Sequence, residues 1–488
     1  MAKTNVLLVN PRYNGRSEIP PLGLEYLAAP LLADGMDVSI LDLDIFSEEE
    51  GKNSLSDRLR ELKPQILGVT AMSHSFSSAL EVCETAKTFD RNILTVMGGI
   101  HATVMSDKIL REHGDVDVCI RGEGERTFHE LVNNFTSGHS FAGIEGLSYR
   151  EGSGVVHNND RALEKNLDEL REPVHHLVYG EKYRTRSISS SRGCQHNCSF
   201  CSIRAQYGKT VRTRSAKSIA NEIRMLVEGG AQSIMFTDDN FTGSAPRIRE
   251  LCSCIERLGL SGSVEFYAEG RIDDICRNPI MASLLGHAGF KGLYIGAESG
   301  SPEVLDYYNK GIGPDHVIKG VALCIEQDLM PVVNFILFGP RDTIATMKET
   351  IRLARRIFEM GAEIVYAETL IPYPGTSIQK SLARDGMFEK QRDVYFFRSY
   401  NGLEMDWFLR LCNIARAVTD LLHRKDKYLS EKKAYFELGY LDELLSGHIP
   451  ARFEEVCRQQ LSGKHGALSS RIKEVHEYIT ATIGTATH

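Results

Sequence analysis

The sequence predicts an α/β protein in which a doubly wound, Rossmann-like parallel sheet is followed by a partial (β/α)6 barrel and a helical C-terminal region. Three observations carry that prediction. Short, continuous apolar runs alternate with segments of helical period, as parallel strands with covering helices require. The alternation runs twice, on either side of a polar, irregular stretch at 158–183. Finally, 488 residues are too many for one hydrophobic core, so two or three domains are expected.

In the first series, Val6 to Val9 reads as a strand and Gly23 to Leu32 as a helix despite Pro30. Strands follow at Val38 to Leu41, Ile66 to Thr70, Ile93 to Met97 and Val116 to Ile120. They are near-continuous apolar runs, as strands buried on both faces are. Gly146 to His157 reads as a β-hairpin with a Gly-rich turn, and 158–183 as a linker. The second series begins with the strand leading into Ser189. It continues at Ser233 to Asp238, Val264 to Ala268, Gly292 to Gly296, Val332 to Phe338 and Ile364 to Ala367. Between the first two of these, Ile219, Ile223 and Leu226 fall on one helix face. After Pro372 to Thr376 the pattern turns helical, with amphipathic segments at 403–422 and 432–445. Tyr395, Phe396, Phe397, Tyr400, Trp407 and Phe408 form an aromatic stripe of the kind that builds a core, and 484–488 reads as a frayed tail. The expected division is therefore 1–145, a hairpin and linker at 146–184, the barrel at 185–385, and a helical region at 386–488.

Composition narrows the class. Hydrophobic residues at 42% and charged residues at 25% are ordinary for a soluble globular chain. A net charge of −8 leaves no electrostatic footprint for nucleic acid. No apolar run is long enough for a transmembrane segment, and the start lacks a signal-peptide pattern. Eleven cysteines without secreted-framework spacing point to a reducing cytoplasm.

The chemistry is concentrated in Ser189 to Cys201, where Cys194, Cys198 and Cys201 stand at the spacing C-x3-C-x2-C. Thiolates select zinc, copper(I) or an iron–sulfur cluster. A structural zinc site takes four ligands, usually as two separated pairs, and no second C-x2-C pair follows here. Three cysteines suit a four-iron cluster that leaves one iron open to a small molecule. With Phe200 just before the third cysteine, the loop resembles the signature of the radical S-adenosylmethionine (SAM) enzymes, in which the open iron chelates SAM. The resemblance implies an oxygen-sensitive 4Fe-4S cluster held by the three cysteines.

Parallel α/β folds place ligands at the carboxyl ends of their strands. In the barrel that rule selects Asp238 and Asp239, Glu269 with Arg271, Glu298 with Ser299, and Gly339-Pro340. By resemblance, Asp238-Asp239-Asn240 occupies the place where the SAM amino group is held. Glu298, with Ser299, lies near the SAM ribose, and Arg271 pairs with the SAM carboxylate in a bidentate fork. As ordinary strand-end residues, the same carboxylates would serve as caps or salt-bridge partners.

In the first sheet the rule selects Thr70 to Ser75, Gly98-Gly99 and Gly122-Glu123-Gly124. No G-x-G-x-x-G follows the first strand, which disfavours a nicotinamide dinucleotide. Three blocks together resemble the cobalamin-binding domain that precedes the radical SAM domain in one large subgroup. They are Pro20 to Ala28, Val96 to Thr103 and Ile120 to Glu125. The resemblance assigns Pro21, Leu22, Gly23, Thr70, Ser73, Gly98, Gly99, His101, Gly122, Glu123, Gly124 and Glu125 to cobalamin. The D-x-H-x-x-G string whose His ligates cobalt in other cobalamin domains is missing. His74 and His101 remain as loop residues that either hydrogen-bond or approach cobalt.

The resemblance implies a cobalamin-dependent radical SAM enzyme that transfers a methyl group from methylcobalamin to an unactivated carbon of a small molecule. The same motifs admit a cyclase or oxidase using the same cofactors. A non-catalytic cobalamin or iron–sulfur sensor is a further alternative, which the complete cluster loop disfavours. A methylthiotransferase acting on transfer RNA needs three more cysteines in the N-terminal domain, where only Cys83 and Cys119 lie. Arg204, Lys209, Arg212 and Arg214 read as a solvated basic face, able to receive an acidic electron donor such as a flavodoxin or ferredoxin.

Overall fold

The computed structural model describes residues 4–13, 19–178, 183–260, 263–367, 369–391, 394–401, 412, 415–416 and 433–446. The first sheet holds β1 (Asn5–Asn10), β2 (Asp37–Asp42), β3 (Ile66–Thr70), β4 (Leu94–Gly98) and β5 (Val118–Ile120) in the parallel order β2-β1-β3-β4-β5. Alternate side chains enter different layers. Leu7, Val9, Leu67 and Val69 pack into one buried cluster, and Val6, Leu8 and Ile66 into another. Helices cover both layers, as two-sided burial demands. Because β2 and β3 flank β1, the chain reverses direction there, and the crevice opens at the carboxyl ends of β1 and β3.

The hairpin expected as a connector is part of this sheet. β6 (Leu147–Glu151) pairs antiparallel with β5, and β7 (Gly154–His157) with β6. An uncovered β5 would present a row of unpaired backbone groups, and the hairpin caps that edge. Leu147 and Tyr149 are buried in doing so. The linker that follows is irregular, with short 3-10 turns at Leu167–Glu169 and His175–Leu177.

The second sheet begins with β8 (Thr185–Ile188). A two-residue ribbon, β9 (Ser191–Arg192) against β10 (Arg212–Thr213), then frames the cysteine loop. The remaining barrel strands are β11 (Ser233–Phe236), β12 (Glu265–Gly270), β13 (Phe290–Glu298), β14 (Met330–Ile336) and β15 (Glu363–Ala367). The six strands lie in the parallel order β15-β14-β13-β12-β11-β8, an open half-barrel. Its helix-facing core is aromatic: Phe236, Phe241, Phe266 and Phe290 are all buried, with Phe236 stacked on Phe290 at 5.5 Å.

Beyond the barrel, the chain differs from the all-helical expectation. β16 (Phe388–Gln391) and β17 (Val394–Phe397) form an antiparallel hairpin, in keeping with the β-prone Val-Tyr-Phe-Phe run. Phe397 is buried and stacks on Phe338. The helix Lys433–Leu445 lies where the 432–445 pattern placed one. Trp407, Phe408, the tail at 484–488 and most of 403–422 lie outside the described residues.

Candidate active site

The strand ends of both sheets border one cavity of about 410 Å³. On the first-sheet side its walls include Pro21, Leu22, Gly23, Thr70, Gly98, Gly99, Gly122, Glu123, Gly124 and Glu125. A Cβ on Gly98 or Gly122 would meet no protein atom within 4 Å, so both present bare backbone to the open space. Gly99 sits at φ 92°, where a Cβ would stand 2.8 Å from the Ala71 carbonyl. Only glycine takes that conformation freely. Such a cradle fits a broad, flat group that approaches the backbone closely.

Ser73 and His101 stand outside these walls. His101 is buried, its Nδ1 is 2.9 Å from Ser73 Oγ, and its ring lies 4.2 Å from that of Phe76. His74 packs on Tyr13 with ring centroids 4.2 Å apart. Among the described residues, no histidine lines the cavity. Tyr26 and Leu27, inside the Pro20 to Ala28 block but not singled out by the sequence, and Arg192 and Tyr207, which the sequence did not assign to the site, also line the walls. Tyr26 lies one helical turn beyond Leu22, a spacing that would have found it. Arg192 and Tyr207 come from the other sheet and carry no local signal.

The cysteine loop leaves β9 through Gly193, at φ 92°, where a Cβ would collide with the Thr210 carbonyl. Asp239 accepts from Gly193 N at 2.6 Å and also lines the cavity. Burial pushes its carboxyl up to about 6. Asp238 is turned away from the cavity. It is buried and accepts from the backbone N and hydroxyl of Ser190 and from the hydroxyl of Ser191. A second segment holds the loop from below. Ser199 N donates to Tyr308 O at 2.8 Å, and Asn309 Nδ2 donates to Asn197 O at 2.7 Å. Phe200 packs edge-on against Tyr308 at 5.3 Å.

Cys194, Cys198 and Cys201 are all half-buried, and burial pushes Cys194 upward and Cys201 up to about 11. Thiols so raised give up their protons to a metal rather than to water. Among the described residues, no three His, Cys, Asp or Glu side chains are gathered for a metal ion. Three cysteine thiols on one loop are the donor type by which iron–sulfur clusters are held, so the donor set fits such a cluster.

Glu298 sits at φ 65° on a bulge of β13 and pairs with Lys310 at 2.6 Å, both largely buried. A left-handed conformation at a non-glycine strand end marks a site where surrounding packing holds strain. Ser299 is fully buried and bonded to Thr350 and Ser301, behind the strand end. Arg271 is buried beside Cys198, with Asp273 and the Lys310 carbonyl as partners.

The basic run after the cysteines is not a solvated face. Arg212 and Arg214 are buried. Arg212 donates to Glu123 at 2.8 Å, and Arg214 pairs with Glu222. A carboxylate partner is what lets a guanidinium leave water. Arg204 and Lys209 stay accessible.

A cradle of bare strand-end backbone on one side and the base of a three-cysteine loop on the other define an enzyme with two cofactor sites around one chamber. Known families divide the chain in the same way: a B12 binding domain matches residues 14–132, and the radical SAM superfamily matches 188–354. An uncharacterized methyltransferase of Pyrococcus horikoshii is 34% identical over 367 residues, covering 74% of this chain and 77% of that one. The anaerobic magnesium-protoporphyrin IX monomethyl ester cyclase of Cereibacter sphaeroides is 27% identical, covering 81% and 65%. The structure of the radical SAM methyltransferase TsrM from Kitasatospora setae, with tryptophan and a SAM analogue bound, shares the fold. It has a TM-score of 0.68 at 23% identity, covering 78% of this chain and 76% of that one. The chain belongs to the cobalamin-dependent radical SAM enzymes, whose cofactors are a 4Fe-4S cluster, SAM and cobalamin. Among the described residues, no helix is long and apolar enough to cross a membrane.

Proposed function

We propose that the chain is a C-methyltransferase that moves a methyl group from methylcobalamin to an unactivated carbon of a small molecule or natural-product intermediate. One observation carries this reading: Gly98 and Gly122 of the first sheet and Thr237 and Asp239 of the barrel border the same cavity. A substrate there lies between the two cofactor sites. When bound, the reduced cluster with SAM supplies hydrogen abstraction, and cobalamin carries the methyl group.

The chain's own residues bind, orient and exclude. Cys194, Cys198 and Cys201 hold the cluster, and Phe200 fixes the loop. Asp239 faces the SAM amino group. Glu298, oriented by Lys310, faces the ribose, while Asp238 and Ser299 support these positions from behind. The strand-end glycines and Pro21, Leu22 and Gly23 would receive the corrin. Residues 1–145 act as the cobalamin domain and 185–385 as the SAM domain. The setting is the cytoplasm, without a nucleic-acid partner. An acidic flavodoxin or ferredoxin delivers electrons near Arg204 and Lys209.

The cyclase of Cereibacter sphaeroides, similar across most of this chain, supports a second reading in which no methyl is transferred. The two separate in a product ratio, measured anaerobically with methyl-labelled SAM and candidate substrates. Methyl transfer gives 5′-deoxyadenosine and S-adenosylhomocysteine in near-equal amounts and a labelled product. Deoxyadenosine alone, with no label in the product, would replace this reading with the cyclase-like one.

A further inference from the structure

Arg271 follows β12 and is 7% exposed, with every arm of its guanidinium engaged. Nε donates to Asp273 Oδ1 at 2.9 Å, and Nη2 donates to the Lys310 carbonyl at 2.6 Å. Nη1 lies 3.6 Å from Cys198 Sγ. Asp273 is shared, since it also pairs with Arg277 at 2.8 Å. The edge of Arg271 turned toward the sulfur therefore has no carboxylate of its own among the described residues. A guanidinium is charged at every accessible pH, so this charge is fixed.

We propose that Arg271 sets the reduction potential of the iron–sulfur cluster, by donating to the Cys198 thiolate and holding a permanent positive charge beside it. This rests on the cofactor reading above. Reduction moves one electron from an external low-potential donor onto the cluster, with no proton, so the cluster and its thiolates become more negative by one charge. Hydrogen bonds to cluster sulfurs and nearby charge are established levers on such potentials. A cation with an N–H donor at the thiolate stabilises the reduced state and raises the potential. The alternative, in which Arg271 clamps the SAM carboxylate, needs a free two-pronged edge. Here the Nε–Nη2 edge is occupied by Asp273 and the Lys310 carbonyl, and Nη1 is directed at Cys198 Sγ.

The test is a potentiometric titration of the full chain, reconstituted anaerobically with iron and sulfide. Reduced cluster is read by electron paramagnetic resonance in wild type, Arg271→Gln, Arg271→Lys and Asp273→Asn. Arg271→Gln should lower the potential, cutting the ratio of reduced to oxidised cluster at a fixed potential roughly tenfold, about 59 mV for one electron. Arg271→Lys keeps the charge and should recover part of the loss. Asp273→Asn removes the counter-charge and should shift the potential upward. This opposite sign separates tuning from general damage and keeps the proposal testable even where Arg271→Gln loads poorly. Unmoved potentials in loaded variants, or shifts of one sign, would overturn it. So would a SAM affinity that collapses in Arg271→Gln while the potential stays fixed. Wild-type chain that assembles no cluster would overturn the cofactor reading itself and this inference with it.

Discussion

At the scale of single residues, the glycines at the cavity divide into two kinds with different consequences. Gly122 lies at φ 75°, so any side chain there strains the backbone as well as entering the cavity. Gly98 ends a strand in ordinary backbone geometry and faces open space. Valine is a good strand residue. Gly98→Val should therefore leave the melting temperature of the ligand-free chain unchanged while weakening cobalamin tenfold or more, about 1.4 kcal/mol per tenfold. A spectrophotometric cobalamin titration that gave equal affinities would place the corrin elsewhere. Gly98-Gly99 was legible in the sequence only as one of three ordered blocks that together resemble a cobalamin-binding domain, because a strand-end glycine taken singly reads as an ordinary turn residue. The separate roles of Asp238 and Asp239 were not. Adjacent strand-end residues face opposite ways, and only the fold shows that Asp239 borders the cavity.

At the scale of elements, the loop after β5 and the ribbon β9–β10 act as one unit. Glu123 accepts from Arg192 and Arg212, each at 2.8 Å, and Glu125 accepts from Arg192 at 2.6 Å. Burial works against the Glu123 charge, yet Arg212 and Arg192 overcome it and hold its carboxyl below the ordinary value. The Gly-rich loop of one sheet is thus tied to the ribbon that launches the cysteine loop of the other. Removing one member of a buried pair strands the opposite charge, at a cost of about 3 kcal/mol or more. Glu123→Ala should accordingly lose hydrogen-exchange protection on both sides of the tie, in 118–136 and in 191–213. Protection lost only in the first sheet would show that the two elements are not coupled. Because Glu123 sits inside a motif block of the cobalamin side, the sequence assigned it to cobalamin. Its partners lie about seventy to ninety residues away, beyond any local pattern.

At the scale of the whole molecule, a buried charge network joins the linker to both sheets. His175 Nε2 lies 3.0 Å from Glu222 of the barrel. Its Nδ1 lies 2.6 Å from Glu25 of the first helix, at an angle poor for a hydrogen bond, so that contact is chiefly an ion pair. Arg214, bonded to Glu222, also reaches Tyr26 and the Ser189 carbonyl. Burial disfavours a charged imidazole here, but Glu222 and Glu25 outweigh it and raise His175 to about 9. A base raised above its unfolded value stabilises the fold fully below that unfolded value. The contribution, on the order of 3 kcal/mol, declines above about pH 6.5 and is gone once pH passes about 9. Thermal unfolding from pH 6 to 9.5 should show that decline in the wild type and a flatter profile in His175→Asn. Parallel profiles would remove His175 from the network's pH response.

The sequence by itself determined the α/β class, the run of strands in both sheets and the cysteine loop. Hydrophobic period and ligand spacing are local properties that survive without the fold. Ile66 to Thr70 was read to the residue because a strand buried on both faces shows as a near-continuous apolar run. Tertiary structure alone decided which charges leave water. Arg212 and Arg214 read as surface because a basic run in isolation is solvated. They are buried because Glu123 and Glu222 arrive from distant segments to pair with them. Tertiary structure also added the hairpin to the first sheet and turned Arg271 toward Cys198. Strand edges and charge pairs are completed by whichever segment the packed chain brings alongside, and neither composition nor period records that neighbour.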